Sequence, residues 1–218
     1  MRTFTDFHES DEHMAREEER LTRSQQEPIV GGLPAAPGIL TALRLTPGLG
    51  FHLRGVVEEL LVNDYPGATL TRAEREMLAT AVSAANDCFY CMDTHGAFAS
   101  ELLERSGVTN VASLIEGIKC GVSDGVSDKM RALLHVARTV GRGPLAMTSR
   151  DIATARDAGA TDADTQLAVL IASAFSMYNR MVDGFRAKTP ASVDAYRARA
   201  IEIAEHGYSD PRVTSVPS

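Results

Sequence analysis

The sequence has no tryptophan, only three cysteines and few aromatic residues (6%). With a single close cysteine pair and one cysteine left over, it does not read as a secreted domain stapled by disulfides. No apolar run reaches the roughly 18 residues of a membrane span, and no apolar signal-peptide core stands near Met1. The expected location is therefore the cytoplasm. Positive charge is also short: the net charge is −7, which argues against general affinity for nucleic acid or an anionic membrane. No stretch alternates apolar and polar residues as a strand would. What is present is an alanine-rich chain of 218 residues, 44% hydrophobic, long enough to bury one good core. The expected class is all-α.

The first 27 residues stand apart. Eight acids (Asp6, Glu9, Asp11, Glu12, Glu17, Glu18, Glu19, Glu27) face four arginines, with too few apolar residues for a core face. Residues 1–30 are expected to be an acidic, mobile segment or an exposed helix, with His8 and His13 solvated. A helical domain is expected over 31–208, and a loose tail over 209–218. Pro28 to Gly38 is an irregular entry. Ile39, Leu40 and Leu43 predict a short helix interrupted at Pro47-Gly48, followed by a second through Leu53, Val56, Val57, Leu60 and Leu61. His52 on it suits plain packing. Thr71 with Glu74 is a capping box and opens a helix that carries Met77, Leu78, Ala81 and Val82 inward. Helices are expected at 109–119, at 127–142 and to about Asp157, with His135 a core histidine and Cys120 a buried or incidental thiol. The longest helix starts at Thr161/Asp164, with Leu167, Leu170, Ile171, Ala174, Tyr178, Met181 and Phe185 inward. On it, Arg180 and Asp183 suit a surface ion pair of little energetic weight. Thr189-Pro190 opens the last helix.

Most of the chemistry lies in Asn86-Asp87-Cys88-Phe89-Tyr90-Cys91-Met92-Asp93-Thr94-His95. If Asp87 caps a helix, Cys88 falls in the first turn, where unpaired N–H groups and the dipole favour a thiolate. Cys91 follows three residues later, and His95 lies about 6 Å further along the axis at about 1.5 Å per residue. Two thiols and a base then converge, and a proton acceptor beside a thiol makes it a nucleophile. Three other readings compete. The thiols can be structural. Cys88, Cys91 and His95 can bind zinc, although a closed site wants four ligands. Covalent haem attachment needs a histidine where Met92 stands. Glu76 sits between apolar positions of the preceding helix, as a solvated acid or one partly buried with a partner. In one straight helix it would point about 120° away from Cys88, and the break at Asn86-Asp87 lets it swing back toward His95.

Glu76 followed by Cys88-x-x-Cys91-x-x-x-His95 resembles the signature of the alkylhydroperoxidase D-like proteins, within the wider carboxymuconolactone decarboxylase family. Ala174-Phe175-Ser176-Met177-Tyr178-Asn179-Arg180-Met181-Val182-Asp183 resembles a second helix of the family's peroxidase-related branch. The likeness runs from about Leu33 to Tyr208, and one departure is Tyr90, where the best-studied type has a second histidine. The resemblance implies an alkylhydroperoxidase D-like helical domain of seven to nine helices, with the long helix walling the thiol pocket. It implies a thiol-dependent peroxidase without cofactor or metal, with Cys91, Cys88, His95 and Glu76 as catalytic residues. Helix position favours Cys88 as the attacking thiol. Proximity to His95 and the family pattern favour Cys91, which is the assignment adopted here. Expected partners are a hydroperoxide, an external dithiol or thioredoxin-like or lipoyl reductant, and further copies of the chain in a trimer or hexamer. A lactone-processing decarboxylase and a non-enzymatic redox or partner-binding module are the alternatives.

Overall fold

The computed structural model describes Met14, Ala15, Glu18, Glu19 and residues 21–210. His8, His13, most of the acidic cluster and residues 211–218 lie outside the described residues. Between residues 39 and 206 the chain forms nine α-helices, and no strand occurs among the described residues. They are α1 (Ile39–Leu43), α2 (Pro47–Leu61), α3 (Arg72–Ala85), α4 (Phe89–Arg105) and α5 (Val111–Lys119). α6 (Asp128–Arg142), α7 (Ser149–Asp157), α8 (Asp162–Phe185) and α9 (Val193–His206) complete the set.

Local signals start most of these helices. Thr71 accepts the Glu74 N–H at 3.2 Å, while Glu74 accepts the Thr71 N–H at 2.8 Å, which satisfies two otherwise orphaned donors at the head of α3. Thr148 with Asp151 and Thr161 with Asp164 repeat the device at α7 and α8. Pro47 does not separate two helices. It occupies the first turn of α2 behind the Thr46 cap, where its missing N–H costs nothing. Pro190 does not open α9, which begins at Val193 with Ser192 accepting the Asp194 N–H. The hydroxyl cap, not the proline, sets that start.

α3 is the centre of the domain and packs against α2, α4, α5, α6 and α8. It is buried nearly all round: Met77, Leu78, Ala79, Ala81 and Val82, but also Arg75, Glu76, Thr80 and Ser83. Its alanines let neighbouring helices close on several faces, so its polar residues need partners. Arg75 donates to the carbonyls of Asn63 and Leu70. α6 contributes Met130, Leu133, Leu134, Val136 and Ala137 to the same core. Each fully buried leucine of this kind stabilises the fold by about 1.5–3 kcal/mol.

Three side chains depart from their expected settings. His135 is exposed on α6 and reaches Asp151 at 3.0 Å, because the stripe through Leu133, Leu134 and Val136 turns it outward. Leu170 is exposed, and on α8 Phe175 and Val182 are buried in its stead. Its apolar stripe is therefore rotated from the one read by spacing. His52 faces solvent beside the exposed Phe51.

Candidate functional site

The break after α3 gives the site its geometry. Asn86 caps α3, Asp87 takes a left-handed conformation at φ 57, and Cys88 is the N-cap of α4. Cys88 is thus one residue short of the first turn, and Asp87 is not the cap. The Cys88 N–H bonds the Ser83 carbonyl at 3.0 Å, which ties the link back onto α3. α8 braces it from the other side. Asn86 donates to the Asn179 side chain at 2.9 Å and to Ser176 at 3.2 Å, and Asn179 donates to Ser83 at 3.1 Å. The long helix therefore walls the thiols, with the Cys88 thiol directed at the Asn179 carbonyl at 3.9 Å.

With α4 folded back along α3, Glu76 and His95 meet. His95 Nδ1 lies 2.7 Å from Glu76 Oε2, and both side chains are buried. Glu76 accepting from Nδ1–H leaves Nε2 as the ring nitrogen open to proton exchange. Phe175 of α8 meets the imidazole edge-on at 4.5 Å, and Phe98 does so at 5.4 Å. The ring is held on two sides by hydrocarbon, which fixes its orientation.

A third member of this cluster carries no signal in the sequence pattern. Tyr208, expected at the head of a loose tail, donates its hydroxyl to Glu76 Oε1 at 2.6 Å and stacks over His95 with centroids 6.3 Å apart. Burial, and then the neighbouring Glu76, push the phenol well above its usual range, so it stays a donor. Its placement depends on Glu58 of α2, which accepts the N–H groups of Tyr208 at 2.6 Å and Ser209 at 3.1 Å. Gly207 makes the approach possible. Its φ is 74, and a Cβ there would stand 2.7 Å from a Glu58 carboxyl oxygen.

Both pair cysteines are buried, Cys88 fully and Cys91 at 2% exposure, and both are reduced. A hydrogen bond to Cys91, and then burial, push the Cys88 thiol far up. Cys88 is thereby a thiol that keeps its proton. Tyr90 is raised by burial and then by Cys91. Its ring lies where a Cβ on Gly38 would be, at 2.2 Å, so the domain entry is seated on the residue preceding Cys91. A cavity of about 500 Å³ beside the pair is lined by Arg23, Gln26, Tyr90, Val182, Asp183 and Arg186. Asp183 pairs not with Arg180 but with Arg23, at 3.2 Å, and Arg180 instead bonds the Ser176 carbonyl. Cys120 lies apart at the end of α5. Among the described residues no three Cys, His, Asp or Glu side chains group as metal ligands. No described helix is long and apolar enough to cross a membrane.

Residues 55–138, from α2 into α6, match the model of the carboxymuconolactone decarboxylase family. The family segment contains Glu76, Cys88, Cys91 and His95, while Asn179, Asp183 and Tyr208 lie beyond it. Over a longer stretch the chain is similar to an uncharacterized peroxidase-related protein from Silicibacter sp. TM1040, with TM-score 0.65 and 23% identity across 79% of this chain and 95% of that one. It is also similar to the alkylhydroperoxidase AhpD core of an uncharacterized peroxidase-related protein from Ralstonia eutropha JMP134. That likeness has TM-score 0.61 and 26% identity, across 74% of this chain and 80% of that one. No curated protein matches the chain. The fold is the all-helical one of these alkylhydroperoxidase-like neighbours.

Proposed function

We propose that the chain is a thiol-dependent hydroperoxidase in which Cys91 attacks, Cys88 resolves, and Glu76 and His95 move the proton. The observation that carries this reading is the buried 2.7 Å contact between Glu76 and His95, four residues along α4 from Cys91. The reaction follows from that arrangement. His95 Nε2 takes the Cys91 proton, the thiolate sulfur bonds one peroxide oxygen, and the O–O bond breaks. The departing alkoxide or hydroxide takes the proton back from His95. Cys91 is now a sulfenic acid. Cys88 attacks its sulfur, water leaves, and a Cys88–Cys91 disulfide forms. An external dithiol, thioredoxin-like or lipoyl, then returns both thiols. No cofactor enters this scheme. The cytoplasm, where thiols are kept reduced, suits the cycle, and the acting form is a homo-oligomer, a trimer or hexamer.

Two features favour Cys91 over Cys88 as the attacking thiol. Cys88 is held protonated by its hydrogen bond to Cys91 and by burial, and it lies outside the first turn, where the dipole acts most strongly. The small volume beside the pair and its buried sulfurs suit small hydroperoxides. Peroxide consumption with a dithiol reductant tests the reading. The wild-type chain should turn over, Cys91→Ser should be inactive, and His95→Ala should be slowed by about 10²–10⁴-fold, the usual worth of a general base. Full activity in Cys91→Ser would refute the thiol mechanism. Activity on a lactone acid, with none on peroxides, would favour the decarboxylase named by the family.

A further inference from the structure

Closing the disulfide requires Cys88 to lose a proton, and the Glu76–His95 pair is engaged at Cys91. The Cys88 thiol is fully buried and its backbone acceptor, the Asn179 carbonyl, is 3.9 Å away. One turn further along α8 stands Asp183, whose carboxyl group lies near enough to the Cys88 thiol for each to shift the other's titration. A cation supplied from outside the helical core fixes that carboxylate. Arg23 lies in a helical stretch at 21–25, reaches Asp183 Oδ1 at 3.2 Å, and rests over the Phe89 ring at 4.8 Å. Phe89 directly follows Cys88, so Arg23 spans the N-cap of α4 and the flank of α8 in one contact. Asp183 also lines the cavity of about 500 Å³, and its side chain is 35% exposed, which gives a proton a path to solvent.

Resting on the peroxidase reading above, we propose that Asp183 accepts the Cys88 proton in the disulfide-closing step and that Arg23 positions its carboxylate. The step balances without a further reagent. The Cys88 S–H proton passes to Asp183, the Cys88 sulfur bonds the Cys91 sulfur, and the S–O bond of the sulfenic acid breaks. The departing hydroxide takes up a proton from solvent and leaves as water, and Asp183 returns the Cys88 proton to solvent. Cys88 is oxidised and the Cys91 sulfur is reduced by the same electron count. The charged and titratable groups facing Asp183 are Cys88, Arg23 and Asp87, with Arg186 on the cavity wall. Burial raises the Asp183 carboxyl above the usual carboxylate range, and this outweighs the downward pull of Cys88 and Arg23.

Rapid mixing of the full chain with hydrogen peroxide separates the two steps, with a sulfenate trap reading Cys91 oxidation and intact mass reading closure. Asp183→Asn should slow disulfide closure at least about tenfold more than it slows formation of the Cys91 sulfenic acid, and Asp183→Glu should restore closure. Arg23→Ala removes the cation that draws the carboxyl down, so the acid limb of the closure rate should move to higher pH. A second readout is the pH midpoint for alkylation of Cys88 in Cys91→Ser. Asp183→Asn should lower it, because a negative charge near the thiol is gone. Slower closure together with a lower midpoint is a pairing that general loosening of the site does not produce. Closure at the wild-type rate in Asp183→Asn, equal slowing of both steps, or an unmoved midpoint would each overturn the inference. Absence of any sulfenic acid in the wild-type chain would instead overturn the peroxidase reading, and the alkylation midpoint would still decide whether Asp183 acts on Cys88.

Discussion

Replacing Tyr208 by phenylalanine removes one oxygen and leaves the stacked ring in place. That oxygen donates to Glu76 Oε1 at 2.6 Å, and Glu76 is fully buried. The variant leaves an acceptor with no water to replace the lost donor, a loss worth about 1–3 kcal/mol. For a chain of this size, that corresponds to a melting temperature lower by about 2–12 °C. The effect has a defined pH dependence. The folded phenol titrates well above its usual range, so the unfolded chain gives up this proton first. The stabilisation is fully present below the unfolded value of about 10 and is lost as pH rises through the folded one. Urea unfolding of the wild-type and Tyr208→Phe chains should therefore show a constant difference between about pH 8 and 9.5 that narrows above about pH 10. Glu76 also loses a fixed orientation toward His95, so peroxide turnover should fall by about 10–100-fold, as small misplacements near reacting groups do. Equal stability of the two chains, or a difference that widens above pH 10, would refute the reasoning.

Mild peroxide treatment of the wild-type chain should yield a loss of two hydrogens in the peptide holding Cys88 and Cys91, read by mass spectrometry; a loss involving Cys120 would assign the wrong pair. In Cys88→Ser the reaction should stop at a trappable sulfenic acid on Cys91, and a trap adduct on Cys88 in Cys91→Ser, with none in Cys88→Ser, would reverse the two roles. Asn179→Ala removes an acceptor from Asn86 and a donor from Ser83 at a position 1% exposed. It should cost about 1–3 kcal/mol in urea unfolding, chiefly from the buried Ser83 hydroxyl left unpaired, since the half-buried Asn86 keeps Ser176. An Asn179→Ala chain as stable as the wild type would show that α8 does not brace the link between α3 and α4.

The helical class, the capping box at Thr71 and the start of the long helix at Thr161 were legible in the sequence because each is a local rule. A hydroxyl three residues before an acid, or leucines at helical spacing, act within one or two turns. Cys88, Cys91, His95 and Glu76 could be singled out for the same reason, as residue types at fixed spacing around a break. The errors arose where a neighbour decides. His135 sits in an apolar-looking run, yet the rotation of α6 turns it out to Asp151. Leu170 fits the spacing of α8, yet Phe175 takes the buried place against His95. Cys88 was expected one residue further into its helix, because the left-handed turn at Asp87 leaves no pattern of its own.

By itself the sequence determined a helical chain with a cysteine pair at the start of a helix and an acid one helix earlier. The tertiary structure alone decided that Glu76 meets His95, that Tyr208 returns from 132 residues away to complete the cluster, and that Arg23 reaches across to Asp183. The reason is range: a helix cap is satisfied by residues three positions apart, whereas a buried carboxyl group takes whichever donor the packed helices bring to it.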